Sequence, residues 1–165
     1  MFAAHMDEIG FYVRHVDDKG YLWVNPARGI DPRNLFSRRV LVCCDGGDYE
    51  GVMNPGGKPI HISTAEERKK VPEITEFFID LGMPAKTVLR KVRVGDYVVM
   101  HEPFPNQPDS VVSKALDNRF ACWTAIEAVR KLGRAKGAAG NHALDIVVAF
   151  TVQEEVGLRG AIVAA

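Results

Sequence analysis

The sequence predicts an α/β chain in which a small β-rich domain interrupts a larger sheet-and-helix domain. Three observations carry this reading. Between residues 13 and 110, short β-type runs alternate with Gly, Pro and Asp turns, the texture of a small barrel or sandwich. From residue 111 the apolar period changes to that of a helix. Beyond that helix, residues 144–152 form a nearly continuous β-branched apolar run, the pattern of a strand covered on both faces in a parallel sheet.

Each element has its own signal. Residues 9–13 read as a short opening strand. Asp17, Asp18, Lys19 and Gly20 then make a turn between strands at 12–16 and 21–24. Asp45, Gly46, Gly47 and Asp48 make a hairpin turn between strands at 39–44 and 49–53. Further strands are predicted at 76–81 and 96–101. A short helix is predicted over 84–92, with Pro84 in its first turn. Pro103, Pro105 and Pro108 stiffen a linker. Leu116, Phe120, Trp123, Ile126 and Val129 then recur at helical spacing, predicting an amphipathic helix over 115–132 that Gly133 ends. A loop follows over 134–142, then the apolar strand, then a helical start at 157–165. The domains expected are 1–12, 13–110 and 111–165, with the first and last belonging together.

Composition narrows the function. The 165 residues are 47% hydrophobic and 25% charged, an ordinary globular balance. Lys and Arg (21) equal Asp and Glu (21), so no basic excess points to nucleic acid or to an anionic membrane. No apolar run approaches the ~18 residues of a membrane span, and the N-terminus lacks the basic start and apolar stretch of a signal peptide. Cys43, Cys44 and Cys122 make no disulfide framework and read as packing residues, so a cytoplasmic location is expected. The run from Glu66 to Lys70 reads as a solvated segment.

Three segments hold side chains suited to chemistry. His5 and Asp7 stand at i and i+2, which on a strand puts both on one face. Asp7 can accept one imidazole N–H and leave the other nitrogen for a metal. Asp117 opens the predicted long helix, where an acidic residue also complements the helix dipole. Glu154 and Glu155 close the apolar strand, and ligands of open α/β sheets gather at the carboxyl ends of strands. A solvated turn is the alternative for that pair. One His with carboxylates from separate segments forms an N/O donor set suited to Zn, Co or Mn, without the thiolates of a structural zinc site.

The segments around His5 to Phe11, Lys114 to Arg119 and Glu154 to Ala161 follow one another in an order and spacing that closely resemble the glutamyl/deblocking aminopeptidases, the tetrahedral aminopeptidases. The loop at 51–61 and the residues at 78–82 also resemble that family's inserted domain, so the resemblance covers essentially the whole chain. It implies a partial metallopeptidase catalytic domain interrupted by a small β-barrel-like domain used in homo-oligomerisation. It implies two divalent metal ions, Zn or Co, and peptide substrates cleaved at their N-terminal residue. His5, Asp117 and Glu155 would be metal ligands, with Asp117 bridging. Asp7 would orient His5, and Glu154 would act as general base on the attacking water.

The family pattern also requires an Asp beyond the Glu pair and a His nearer the C-terminus. Neither follows Glu155 here, and His101 and His142 precede it. Both ends of the sequence read as cut, so the expectation is a fragment with little activity alone. Two other readings stand beside it: a β-rich self-association module without catalysis, and a glycoside hydrolase, since the label endoglucanase is sometimes attached to the family. Glycosidases place two carboxyls about 5–9 Å apart across one bond, and the adjacent Glu154 and Glu155 are not an obvious such pair.

Overall fold

The computed structural model describes residues 1–134 and 145–165. These fold as two compact units, one made of Met1–Glu8 with Phe104–Ala165 and the other of Ile9–Pro103. The boundaries expected from the sequence are 12/13 and 110/111. No helix among the described residues is long and apolar enough to cross a membrane.

The unit at 9–103 is a closed six-stranded barrel. Its strands are β2 (Phe11–Val16), β3 (Leu22–Pro26), β4 (Arg38–Cys44), β5 (Gly47–Pro55), β6 (Phe77–Asp80) and β7 (Tyr97–Met100). They close in the order β2-β3-β6-β5-β4-β7, with every pairing antiparallel. Each predicted run of this region forms a strand, shifted by no more than a few residues at either end. Alternation explains the core: Phe11 and Val13, Leu22 and Val24, Val40 and Val42, and Phe77 and Ile79 point inward, and all are fully buried. Helix α1 (Ala85–Lys91), entered from Pro84, adds Val88 to this core.

Two local devices hold the barrel's shape. Gly51 of β5 passes so close to β6 that a Cβ there would lie 2.7 Å from Ile79 Cγ2 and 2.8 Å from Leu81 Cδ2. The turn between β2 and β3 closes on Asp17, whose carboxylate accepts from Tyr21 N (2.9 Å), Lys19 N (3.0 Å) and Trp23 Nε1 (3.1 Å). Partial burial pushes the Asp17 carboxyl up, but these three donors outweigh it and hold it below the ordinary carboxylate value. None of the three cysteines forms a disulfide. Burial and the neighbouring Asp96 push the Cys44 thiol up to about 12, which keeps it protonated and inert. The segment from Glu66 to Lys70 is exposed and contains a single short turn of 3₁₀ helix at Glu67–Lys69.

The other unit pairs β1 (Phe2–His5) with β8 (Val148–Thr151) in parallel and adds α2 (Leu116–Arg134) and α3 (Arg159–Ala164). Four expectations need correction here. A strand at Phe2–His5 precedes the one expected at 9–13, whose residues 11–13 instead open β2 of the barrel; the earlier four residues find a parallel partner in β8. His5 ends that strand, so Asp7 lies beyond it and meets the imidazole through a turn of the chain. Asp117 and Asn118 are not helical: Asp117 has φ −84° and ψ 107°, and the regular helix begins after them. The apolar run has no cover on both faces among the described residues, where Val147, Phe150 and Val152 are exposed. Phe120, Trp123, Ile126 and Val129 on α2 are likewise exposed, and α2, β1 and β8 line an apolar cavity of about 550 Å³. The predicted loop over 134–142 falls almost wholly outside the described residues, as do His142 and Leu144.

Two outcomes are expected for the barrel. Gly51→Ala destabilises it by about 1–3 kcal/mol in denaturant unfolding, because the fully buried Ile79 has nowhere to retreat. Asp17→Ala costs about 1 kcal/mol at neutral pH. A depressed carboxyl contributes stability above its ordinary value of 3.8, and that contribution is lost as pH falls through the folded value. The gap between parent and variant, read by thermal melting at successive pH values, therefore closes on acidification.

Candidate metal centre

The parallel register sets the site. His5 lies opposite Thr151, and the pairing runs one step further through Met6 N to Thr151 O at 2.8 Å. The two strands thus release their chains side by side at their carboxyl ends, the place where open α/β sheets build sites. Among the described residues His5 and Thr151 are the two buried polar ones, with His5 only 6% exposed. The Cys122 thiol of α2 donates to His5 O at 3.5 Å.

Past β8 the chain reverses sharply. Gln153 has φ 61° and Leu158 φ 60°, left-handed conformations that non-glycine residues adopt only where surrounding contacts enforce them. Here the enforcement is visible. Gly157 N and Leu158 N both donate to Glu154 O, at 2.9 and 3.1 Å, while Arg159 N donates to Gln153 O at 3.1 Å. Gly160 then lies against the Val152 carbonyl so closely that a Cβ would collide with it. This compact turn presents two consecutive peptide N–H groups, those of Glu154 and Glu155, toward Asp7.

Asp7 receives both. Its Oδ1 accepts from Glu154 N at 3.4 Å and its Oδ2 from Glu155 N at 3.2 Å. The same carboxylate lies 3.3 Å from His5 Nδ1, which also faces Asp7 O at 3.2 Å. The other imidazole nitrogen, Nε2, faces Asp117 Oδ1 at 3.2 Å and Glu154 Oε2 at 3.6 Å. One ligand atom each from His5, Glu154 and Glu155 lies within 4.8 Å of the others.

All five sequence-derived site residues, His5, Asp7, Asp117, Glu154 and Glu155, therefore stand in one cluster. His101 is elsewhere, paired with Glu50 at 3.1 Å in the barrel unit. The N–H bonds from Glu154 and Glu155 to Asp7 were not anticipated. They join residues about 147 apart in the chain, and no short motif signals such a bond.

The donors fit a divalent cation. An imidazole whose Nδ1 side faces a carboxylate and a carbonyl is orientated to offer Nε2, and two carboxylates converge on the same space. Without a thiolate, the set suits Zn, Co or Mn in a reactive centre better than a structural zinc site.

Comparison with known proteins agrees with this chemistry. The family model of the M42 glutamyl aminopeptidases matches residues 1–165. The lysyl aminopeptidase of Pyrococcus furiosus is 32% identical over 168 residues, covering 99% of this chain and 46% of that protein. Among solved structures, an aminopeptidase from the archaeon Desulfurococcus kamchatkensis is 37% identical with a TM-score of 0.83, covering 100% of this chain and 43% of its own. The TET1 peptidase of Pyrococcus horikoshii, described as assembling into a tetrahedron or a large octahedral shell, is 32% identical with a TM-score of 0.80, covering 99% and 48%. The chain thus spans under half the length of these relatives.

Removing the Asp7 carboxylate leaves two peptide N–H groups seeking new acceptors, while His5 Nδ1 keeps the Asp7 carbonyl at 3.2 Å. Asp7→Ala is expected to cost about 2 kcal/mol in urea unfolding, and Asp7→Asn, which keeps one acceptor oxygen, distinctly less. Equal stability of Asp7→Ala and the parent would show that the carboxylate does not anchor the turn.

Proposed function

The chain belongs to the M42 glutamyl aminopeptidase family, and on that premise we propose that it is part of a metal-dependent aminopeptidase that removes N-terminal residues from peptides. The observation that carries this is the convergence of His5, Glu154 and Glu155 within 4.8 Å, with Asp117 at the imidazole's outer nitrogen. His5, Asp117 and Glu155 would hold the divalent metal. Bound divalent cations, Zn or Co, supply a water of lowered pKa and stabilisation of the developing oxyanion. Asp7 fixes the His5 ring, keeping Nε2 aimed inward. Glu154 takes the proton from the attacking water and returns it to the leaving amine, which requires its carboxylate within hydrogen-bond reach of that water.

The barrel at 9–103 serves association of copies of the protein. Sequence coverage of under half of each relative supports the view that the 165 residues alone have little activity. Three cysteines without a disulfide fit a reducing cytoplasm. An imidazole within the carboxylate cluster favours metal-assisted hydrolysis over glycoside cleavage, which uses a pair of carboxyls alone.

The test is hydrolysis of aminoacyl-p-nitroanilides. The 165-residue chain is expected to bind Co²⁺ with affinity lost in His5→Ala, yet to turn over little. A chain extended to the length of its relatives is expected to hydrolyse the substrate and to lose about 10²–10⁴-fold in kcat on Glu154→Gln. Full activity of the short chain would overturn the view that it is inactive alone. Unchanged turnover in Glu154→Gln would overturn the assignment of the base.

A further inference from the structure

Asp117 poses a physical problem. Its side chain is 89% exposed, yet Oδ1 stands 3.2 Å from His5 Nε2. Among the described residues its exposure leaves little packing to keep that carboxylate there, and its backbone lies in the non-helical stretch at the start of α2. Its place must be set by the residues that flank it.

Those flanks converge on one group. Glu8 Oε1 accepts from Lys114 Nζ at 3.0 Å and lies 3.7 Å from the Arg119 guanidinium. Lys114 stands three residues before Asp117 and Arg119 two after it, so Glu8 holds the segment on both sides. Arg119 Nε also donates to Met6 O at 3.0 Å, and Arg119 N closes on Ala115 O at 3.2 Å. Glu8 is well placed for this, because its side chain is only 14% exposed and follows Asp7 directly. Partial burial strengthens such pairs over surface ones, and removing one partner leaves the other charge uncompensated. Ala115, between the anchors, has φ 58°, a left-handed conformation that costs an alanine energy unless its neighbours impose it.

We propose that Glu8 is a positioning residue of the centre: through its ion pairs with Lys114 and Arg119 it fixes the segment that carries Asp117 and so holds the Asp117 carboxylate against His5 Nε2. The consequence for metal affinity rests on the metal-hydrolase reading above; the placement of Asp117 does not. Asp7 and Glu8 then divide the work. Asp7 sets the Nδ1 side of the imidazole together with the Glu154–Glu155 turn, and Glu8 sets the group facing Nε2.

The test uses the 165-residue chain with ¹⁵N-labelled histidine, free of metal and at one pH, as parent, Glu8→Gln, Lys114→Gln and the reciprocal exchange Glu8→Lys with Lys114→Glu. In both single variants the His5 Nε2 resonance is expected to move while Nδ1, held by Asp7, stays, and the exchange, which remakes the pair between positions 8 and 114 but not the one with Arg119, is expected to restore Nε2 only in part. Co²⁺ titration should show roughly tenfold or greater weakening in the single variants, the scale typical of groups that orientate ligands. An unmoved Nε2 in either folded single variant overturns the proposal, as does loss of folding in both, which would make the cluster structural only. A parent that takes no Co²⁺ overturns the metal reading instead and leaves the Nε2 comparison to decide the role of Glu8.

Discussion

The carboxylate of Asp7 ties together parts of the chain that have no other reason to meet with such accuracy. It accepts the peptide N–H groups of Glu154 and Glu155 while lying 3.3 Å from His5 Nδ1. The parallel pairing of β1 with β8 brings the two chain exits to one side, but a strand pair controls position only up to its last hydrogen bond. Beyond Met6 N to Thr151 O, the bonds to Asp7 carry the register on into irregular backbone. The left-handed residues Gln153 and Leu158 persist because the turn around them is hydrogen-bonded throughout.

Chemistry at such a centre depends on orientation more than on the presence of the right residue types. An imidazole turned by a few tens of degrees offers its lone pair to nothing. Here a carboxylate and a carbonyl hold one ring nitrogen, and an acidic group faces the other. The two glutamates are adjacent in sequence, and the compact turn that carries them brings a carboxylate oxygen of each within 4.8 Å of a His5 ring nitrogen. The backbone bonds to Asp7 hold both in place at once.

Much of the barrel was legible beforehand because its signals are local. Asp45 to Asp48 announce a hairpin, and alternation along Val40, Val42, Phe77 and Ile79 assigns an inner face without knowledge of the partner strand. The long helix was legible from the spacing of Phe120, Trp123 and Val129, yet that spacing says only which face is apolar. Whether the face is covered depends on what packs there, and these residues are exposed among those described. Asp117 shows the same limit from the other direction. An acidic residue ahead of a helix pattern looks like part of its first turn, whereas here the backbone of Asp117 and Asn118 is not helical and the regular helix starts later.

Residue identity in the sequence therefore determined the chemistry available: an imidazole, four carboxylates and no thiolate among the candidate ligands, on segments whose order and spacing resemble one hydrolase family. It also determined the barrel's strands and turns, since period and turn chemistry act over a few residues. Tertiary structure alone decided that β1 begins at Phe2, that Asp7 caps the Glu154–Glu155 turn and that Glu8 holds both flanks of Asp117. The physical reason is separation along the chain: these bonds join groups about 106 to 148 residues apart, where no propensity or period carries information. Such groups meet only after a strand has found its parallel partner.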